Sequence, residues 1–212
     1  MADCSHCNEV LASPLACGGC ESIFAATSIL SPFEIFGMPI SARIDRSLLR
    51  KTLLKLQRLL HPDFHGSAGE AMVGIAEHNT AEVNAAFELL RDAAKRASWI
   101  VEHLGGPSES SERQMPQPFL MEVMEWNETM EELKEADDAD QTKAGIDELK
   151  AELNTQRAEL IENTLDNAET QLNQVAGATD LATIRRDLNA VRYIGRALSA
   201  IAAIELNLAQ AH

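Results

Sequence analysis

The fold is decided by the stretch from residue 45 to residue 63, whose sequence is DRSLLRKTLLKLQRLLHPD. Neither Gly nor Pro interrupts it before position 62, so we predict a helix from Asp45 to Leu60. One side of this helix is an apolar stripe at helical spacing: Leu49, Leu53, Leu56 and Leu60. The opposite side is mainly basic: Arg50, Lys51, Leu54, Lys55 and Arg58. Pro62 lacks an amide hydrogen and disfavours the helical conformation at His61, so a turn should display His61 and Asp63 beside the positive face.

The tripeptide His61-Pro62-Asp63 after a basic helix resembles a J-domain, the module by which co-chaperones stimulate ATP hydrolysis in DnaK-class chaperones. The resemblance extends to residues 31–37, which match the short first helix, and to residues 70–104, which match the returning helix. Apolar residues at helical spacing in the returning helix would pack on the leucine stripe: Met72, Ile75, Ala76, Val83, Ala86, Phe87 and Leu90.

The composition indicates an all-α protein without a membrane-spanning segment. Aromatic residues make up only 4 % of the 212 residues, whereas Ala, Leu and Glu are abundant. The longest apolar runs are shorter than ten residues, too short to cross a bilayer. No Arg-rich or apolar leader precedes Cys4, so we expect a bacterial cytoplasmic protein or, alternatively, the mature chain of a mitochondrial matrix protein.

The charge is unevenly distributed along the chain. The net charge of −15 argues against a nucleic-acid partner. Residues 31–104 carry nine acids and nine bases, whereas residues 116–170 carry sixteen acids and four bases. A basic helix in one module therefore contrasts with an acidic surface in the other, although many of these carboxylates would simply solubilise the protein.

Helix breakers divide the chain into four predicted segments: a tetracysteine module at 1–30, a J-domain at 31–104, a linker at 105–118 and a C-terminal domain at 119–212. The last segment predicts three helices, at 118–136, 143–176 and 180–210, separated by breaks at 136–140 and 177–180. Thr179 or Asp180 would cap the last helix. Short connections between long helices favour an antiparallel three-helix bundle.

Four cysteines form two CxxC pairs, with nine residues between the pairs. Cys4, Cys7, Cys17 and Cys20 can supply the four thiolates of a tetrahedral zinc site, and Gly18-Gly19 allows a tight turn around the metal. Such a short segment would obtain most of its folding energy from a structural zinc ion. Iron in a rubredoxin-like site and two disulfides are the alternatives, and His6 is expected to be a bystander.

The helical wheel of the first bundle helix predicts an exposed patch. Its core stripe is Phe119, Val123, Trp126, Met130 and Leu133. The far side then carries Met121, Met124, Glu125, Glu128 and Glu132, with Leu120 on the flank. Thioethers flanked by carboxylates suit a surface that binds a basic protein, unless they pack on another part of the chain.

The wheel of the last helix turns its lone tyrosine outward. The predicted inward stripe is Leu181, Ile184, Leu188, Val191, Gly195 and Leu198. Tyr193 would then point to the opposite side, as either an interface anchor or an incidental surface residue.

Residues 31–212 resemble HscB, the J-type co-chaperone of iron–sulfur cluster biogenesis. The resemblance depends on the tripeptide, on 56–58 before it, on Phe119-Leu120-Met121-Glu122, and on these further positions: Asn84, Phe87, Leu90, Arg91, Arg96, Ala97, Trp99, Glu125 and Glu128. The tetracysteine segment is similar to the extension of eukaryotic-type members. Phe64 stands where many members have Lys, and the absence of a proline near Asp92-Ala93 predicts a less kinked end of the returning helix.

The resemblance implies two partner surfaces. A dedicated DnaK-class chaperone of the HscA type would contact His61, Pro62, Asp63, Arg50, Lys51, Lys55 and Arg58. An iron–sulfur scaffold protein of the IscU type would contact Leu120, Met121, Met124, Glu125, Glu128, Glu132 and Tyr193. The chain itself would bind no nucleotide and catalyse no covalent step; it would deliver the scaffold and stimulate the chaperone's ATPase. The alternatives are a co-chaperone for general folding and a metal or redox protein.

Overall fold

The computed structural model describes residues 3–26, 28–135, 139–175 and 178–210. Within them lie seven α-helices: α1 (Pro32–Ile35), α2 (Arg46–Leu59), α3 (Glu70–Arg91), α4 (Ala93–His103), α5 (Gln117–Glu135), α6 (Ala139–Leu172) and α7 (Leu181–Gln210). The only β-structure in this part of the chain is three isolated bridges near the cysteines. The all-α prediction is therefore confirmed. The chain divides into two compact units, residues 1–96 and 97–212.

The first unit is built around the predicted hairpin of α2 and α3. Asp45 caps α2 by accepting hydrogen bonds from the amides of Ser47 and Leu48. Three of the four stripe leucines are buried, namely Leu49, Leu56 and Leu60. The facing side chains of α3 are buried at Ala76, Val83, Ala86 and Leu90. The helical spacing of the leucines thus correctly predicted that one side of α2 is buried against α3.

The prediction of one continuous, less kinked helix over residues 70–104 is wrong. α3 ends at Arg91, Asp92 has an extended backbone with ψ 119°, and α4 begins at Ala93. The Asp92 carboxylate accepts a hydrogen bond from the amide of Lys95, as an N-cap residue does. Buried Arg96 donates hydrogen bonds to the carbonyl oxygen of Leu90 and, at 2.8 Å, to that of Ala42. The Leu90 carbonyl at the end of α3 therefore has a partner, and α3 ends there although no proline is present.

The second unit is a helical bundle, and one of its apolar core clusters is formed by α5, α6 and α7. The core side chains come from α5 (Phe119, Val123, Trp126), α6 (Ile146, Leu149, Leu153) and α7 (Ala190, Ile194, Ala197, Ile201). Met130 and Leu133 of the predicted stripe pack on it while remaining partly exposed. Asp180 is the N-cap of α7, accepting from the amides of Ala182 and Thr183.

The predicted break at 136–140 is partly wrong, because α6 begins at Ala139 rather than near residue 143. Aspartates are favoured in the first turn of a helix, which explains why this acidic stretch does not act as a loop throughout. Residues 136–138 of the predicted break lie outside the described residues.

The predicted burial pattern of α7 is also wrong in part. Ala190, Ile194 and Ala197 are fully or nearly buried, although none belongs to the predicted stripe. Tyr193 is half-buried rather than turned away, and its ring meets the Phe119 ring edge-on, with centroids 6.1 Å apart. The helical wheel assumed that α7 is buried along a single stripe. In the structure, α7 contributes to the common core and also binds the segment that precedes α5.

The segment that precedes α5, which was predicted to be a linker, lies along α7. Asn189 donates to the carbonyl oxygens of Glu112 and Gln114 at 2.9 and 2.8 Å. Arg186 pairs with the Glu112 carboxylate at 3.3 Å, and Met115 packs against the bundle core. These contacts order the segment despite its composition.

Arg185 is the most buried charged side chain among the described residues of the second unit. Its side chain is 2 % exposed and donates to the Pro107 carbonyl at 2.9 Å, to the Ser98 hydroxyl at 2.8 Å and to the Glu102 carboxylate at 3.0 Å. Desolvation lowers the pKa of this guanidinium, and Glu102 opposes that shift.

Within the described residues, no helix has both the length and the apolarity needed to cross a membrane.

We predict that Arg185→Met destabilises the second unit by about 2 kcal/mol, since buried acceptors lose their donor. Arg186→Met is the matched control, with an expected loss below about 1 kcal/mol, because the pair it removes is partly exposed. Native-state hydrogen exchange of α7 amides measures both. Equal losses in the two variants would contradict the assignment of Arg185 as the anchor.

Candidate functional site

The His61-Pro62-Asp63 bend lies on the surface of the first unit. Residues 62–64 form a single 3-10 turn, and His61 before it has an extended backbone. The Asp63 side chain is 85 % exposed and the His61 side chain 54 % exposed. The Nδ1 atom of His61 accepts a hydrogen bond from the Asp63 amide at 3.3 Å, so a neutral ring carries its hydrogen on Nε2. The bend therefore presents one donor and one carboxylate to solvent, with a carboxylate oxygen of Asp63 lying 3.7 Å from Nδ1 of His61.

Three contacts hold the bend in place. Leu60 is fully buried, which anchors the end of α2 in the hairpin. Its carbonyl accepts from the Thr80 hydroxyl at 3.2 Å, and the Leu59 carbonyl bonds the Nε2 atom of His65 at 2.8 Å. These are carbonyls that a helix end leaves without an internal partner. The exposed position of His61 thus follows from saturated backbone groups just before it.

The basic side of α2 is exposed to solvent. Arg50, Lys51, Lys55 and Arg58 are all exposed. None of them forms a salt bridge with a residue that the structure describes. Leu54, in their midst, is 58 % exposed. The wheel placed these side chains correctly, and the result is a positive surface with an apolar centre beside the bend.

A second exposed surface lies on α5, in the other unit. Met121 and Met124 are 70 % and 64 % exposed, and Leu120 on their flank is 43 % exposed. The carboxylates of Glu125, Glu128 and Glu132 are exposed as well. Phe119, Val123 and Trp126 point into the core, whereas the two thioethers are mainly exposed to solvent. We call residues 120, 121, 124, 125, 128 and 132 the thioether–carboxylate patch.

The four cysteine sulfurs lie close enough to hold one metal ion. Cys4 and Cys20 are 3.6 Å apart, Cys7 and Cys17 are 3.6 Å apart, and all four sulfurs lie within 4.8 Å of one another. Sulfurs about 2.3 Å from a tetrahedral zinc ion are about 3.8 Å from each other, so the arrangement fits. All four cysteines are free thiols, and the alternative of two disulfides is not what the structure shows.

The surroundings of the sulfurs shift the thiol pKa values in opposite directions. Hydrogen bonds with the side chain and the backbone of Ser22 lower the pKa of the Cys20 thiol to about 6, which favours the thiolate. For Cys7, a backbone hydrogen bond at Glu9 lowers the pKa, but desolvation and the other sulfurs raise it to about 12. A metal ion would displace the remaining protons. His6 bonds the Ser22 hydroxyl at 2.7 Å and lies outside the sulfur group, as expected for a bystander.

The tetracysteine segment is packed on the helical part of the first unit, a feature that sequence analysis missed. Buried Asn79 of α3 donates to the Phe24 carbonyl at 2.9 Å. The chain passes so close to Gly37, which has φ +61°, that a β-carbon there would overlap the Ala12 carbonyl. The Nζ atom of Lys55 lies over Gly18, 2.7 Å from where a β-carbon would be. Glycine at 18 and 37 was the available signal, because it permits close backbone approach.

The C-terminal part of the chain matches a family model. Residues 115–202 match the model described as the HSCB C-terminal oligomerisation domain. This range includes the thioether–carboxylate patch and Tyr193.

Relatives and solved structures agree with this match. A co-chaperone protein HscB homolog from Vibrio vulnificus (strain CMCP6) is 31 % identical over 141 residues, covering 66 % of this chain and 82 % of the relative. The corresponding homolog from Shewanella halifaxensis is 36 % identical over 109 residues, covering 51 % and 63 %.

The fold is similar to the crystal structure of human co-chaperone protein HscB, with a TM-score of 0.73, 21 % identity and coverage of 97 % of this chain and 100 % of that one. It is also similar to chaperone HscB from Vibrio cholerae, with a TM-score of 0.67, 23 % identity and coverage of 84 % and 99 %. Because four-fifths of a 31 % identical relative aligns and the bundle matches the family's own model, this chain belongs to the HscB family of co-chaperones.

Proposed function

We propose that this protein binds an iron–sulfur scaffold protein of the IscU type, delivers it to a dedicated DnaK-class chaperone of the HscA type and stimulates that chaperone's ATPase. The chain supplies no catalytic group; the ATP is cleaved by the chaperone. Cluster transfer to an acceptor protein follows from holding scaffold and chaperone together. Membership of the HscB family supports this proposal, as do the two exposed surfaces of opposite charge.

The chaperone would dock on the bend and the basic side of α2. The four cations without salt-bridge partners attract an acidic surface and speed its encounter. His61 and Asp63 then add directional contacts, because their positions are fixed by the saturated end of α2. A co-chaperone stimulates hydrolysis by binding better to the hydrolysis-competent conformation of its partner.

The scaffold would dock on the thioether–carboxylate patch. The single observation that carries the proposal is the exposure of Met121 and Met124, since a monomeric fold rarely leaves adjacent methionines in solvent. Flexible thioethers adapt to a partner's shape, and the carboxylates around them would steer a basic one. Tyr193, half-buried on Phe119, would contribute through this packing.

The metal in the tetracysteine site is proposed to be zinc, in a structural role. Four thiolates complete a tetrahedral coordination, which leaves no position for a substrate. The segment 3–26 has few apolar core residues besides Leu15 and Ile23, so its order would depend on the metal.

We also propose that the domain boundaries lie at residues 30, 104 and 118. The proposed location of the protein is the bacterial cytoplasm or the mitochondrial matrix.

Replacing one ligand tests the metal assignment. We expect the purified protein to contain one zinc ion per chain by elemental analysis, and Cys17→Ser to lower that content severalfold because three thiolates do not close the site. Hydrogen exchange within residues 3–26 should rise in the variant, while α6 and α7 keep their protection. One iron per chain, or unchanged zinc in the variant, would refute the assignment.

Two variants separate the two proposed partner surfaces. We expect His61→Gln to abolish ATPase stimulation while helicity and scaffold affinity stay unchanged, because His61 is exposed and distant in sequence from the patch. Steady-state ATPase measurements, circular dichroism and calorimetry give the three readouts. Loss of helicity would contradict the surface role of His61.

The reciprocal variant is Met121→Ala with Met124→Ala. We expect scaffold affinity to fall roughly tenfold or more, since two central apolar contacts are lost, while stimulation without scaffold is preserved. Leu206→Ala is the matched control, an exposed apolar residue of the same unit outside the patch. Equal effects of the control and the double variant would refute the scaffold site.

A further inference from the structure

A cavity of about 280 Å³ lies between the tetracysteine segment and the end of α2. It is lined by Glu21, Arg58, Leu59, Phe64 and His65. Arg58 belongs to the basic side of α2, and Phe64 directly follows the His61-Pro62-Asp63 bend. The cavity is thus continuous with the proposed chaperone-docking surface, and the tetracysteine segment contributes one residue to it, Glu21.

Glu21 has an unusual backbone for its residue type. Its φ is +58°, in the left-handed region that glycine occupies without strain. The residue after the second cysteine of the other pair is Asn8, with φ +60°, and asparagine tolerates this conformation better than glutamate. Residues held in this region cluster at functional sites. The carboxylate of Glu21 forms no hydrogen bond or salt bridge with any residue in the described parts of the chain, so it is available to a binding partner.

The lining of the cavity favours a cation over an anion. Arg58 would repel a cation and Glu21 would repel an anion, so these two groups alone do not decide. The exposed ring of Phe64 attracts cations to its face. His65 gives its Nε2 hydrogen to the Leu59 carbonyl, which leaves Nδ1 of the neutral ring as an acceptor. The Phe64 ring and the His65 acceptor both reinforce the attraction of the Glu21 carboxylate for a cation. A guanidinium is suited to all three groups.

We propose that Glu21 extends the chaperone-docking surface and binds a basic side chain of the DnaK-class chaperone, foremost an arginine, in this cavity. The inference rests on the proposed function, because it adds a residue to the same docking surface. The tetracysteine segment would thereby contribute to partner choice, with its metal site fixing the position of Glu21 next to Cys20. An acidic contact within an otherwise basic surface also gives the chaperone a register to match.

Removing the charge of Glu21 tests this proposal. Glu21→Gln keeps the length of the side chain, and we expect it to lower affinity for the purified chaperone about three- to tenfold. Glu9→Gln, in the same segment but outside the cavity, should bind as the wild type does. Zinc content and circular dichroism should match the wild type in both variants.

Glu21→Gly keeps the result interpretable, because it relieves the backbone strain while deleting the carboxylate. We expect the same loss of affinity as in Glu21→Gln. Unchanged or tighter chaperone binding in either variant overturns the proposal. Wild-type protein and His61→Gln are measured in parallel: if the wild type stimulates the ATPase and His61→Gln does not, the proposed function stands whatever Glu21 shows. If the wild type fails to stimulate, both fall together.

Discussion

The end of α2 is the constraint on which the proposed chaperone-docking surface depends. A helix leaves its last carbonyls without internal partners, and here Thr80 and His65 bind those of Leu60 and Leu59. Pro62 prevents continuation of the helix, and buried Leu60 prevents the chain from lifting off the hairpin. His61 and Asp63 therefore remain in solvent at a fixed position beside four cations. Without these backbone contacts the same three residues would be a mobile loop with little directional capacity.

The exposed surface of the bundle has a different origin, because other side chains of α5 occupy the core. Phe119, Val123 and Trp126 occupy the space between α5, α6 and α7, which leaves Met121 and Met124 outside. The segment before α5 closes another side of α7 through Arg185, Arg186 and Asn189. Each unit thus offers one surface whose charge is opposite to that of the other. Two docking surfaces on one chain would raise the concentration of one partner near the other, which is the physical basis of the proposed delivery function.

Sequence patterns predicted those features that depend on local chemistry. The leucine spacing and Pro62 predicted α2 and its bend, and the paired cysteines predicted a compact sulfur cluster. The break at Asp92 was missed although aspartate is favoured at a helix N-cap, and the Arg96 contact that accompanies it reaches a carbonyl 54 residues away, at Ala42. Tyr193 was misplaced because a wheel considers one packing partner, whereas α7 has several. The packing of the tetracysteine segment on Asn79 and Gly37 is likewise non-local. Long-range polar contacts leave no periodic trace in a sequence.

The central claim is that both docking surfaces must act from the same chain. It is tested most directly by mixing two defective proteins, His61→Gln and the Met121→Ala, Met124→Ala double variant, and measuring chaperone ATPase activity with scaffold present. The wild type should show stimulation that scaffold increases further, whereas the mixture should show only the scaffold-independent stimulation of the double variant. A mixture that restores the full wild-type response would contradict the account, because delivery would not require the two surfaces to be joined.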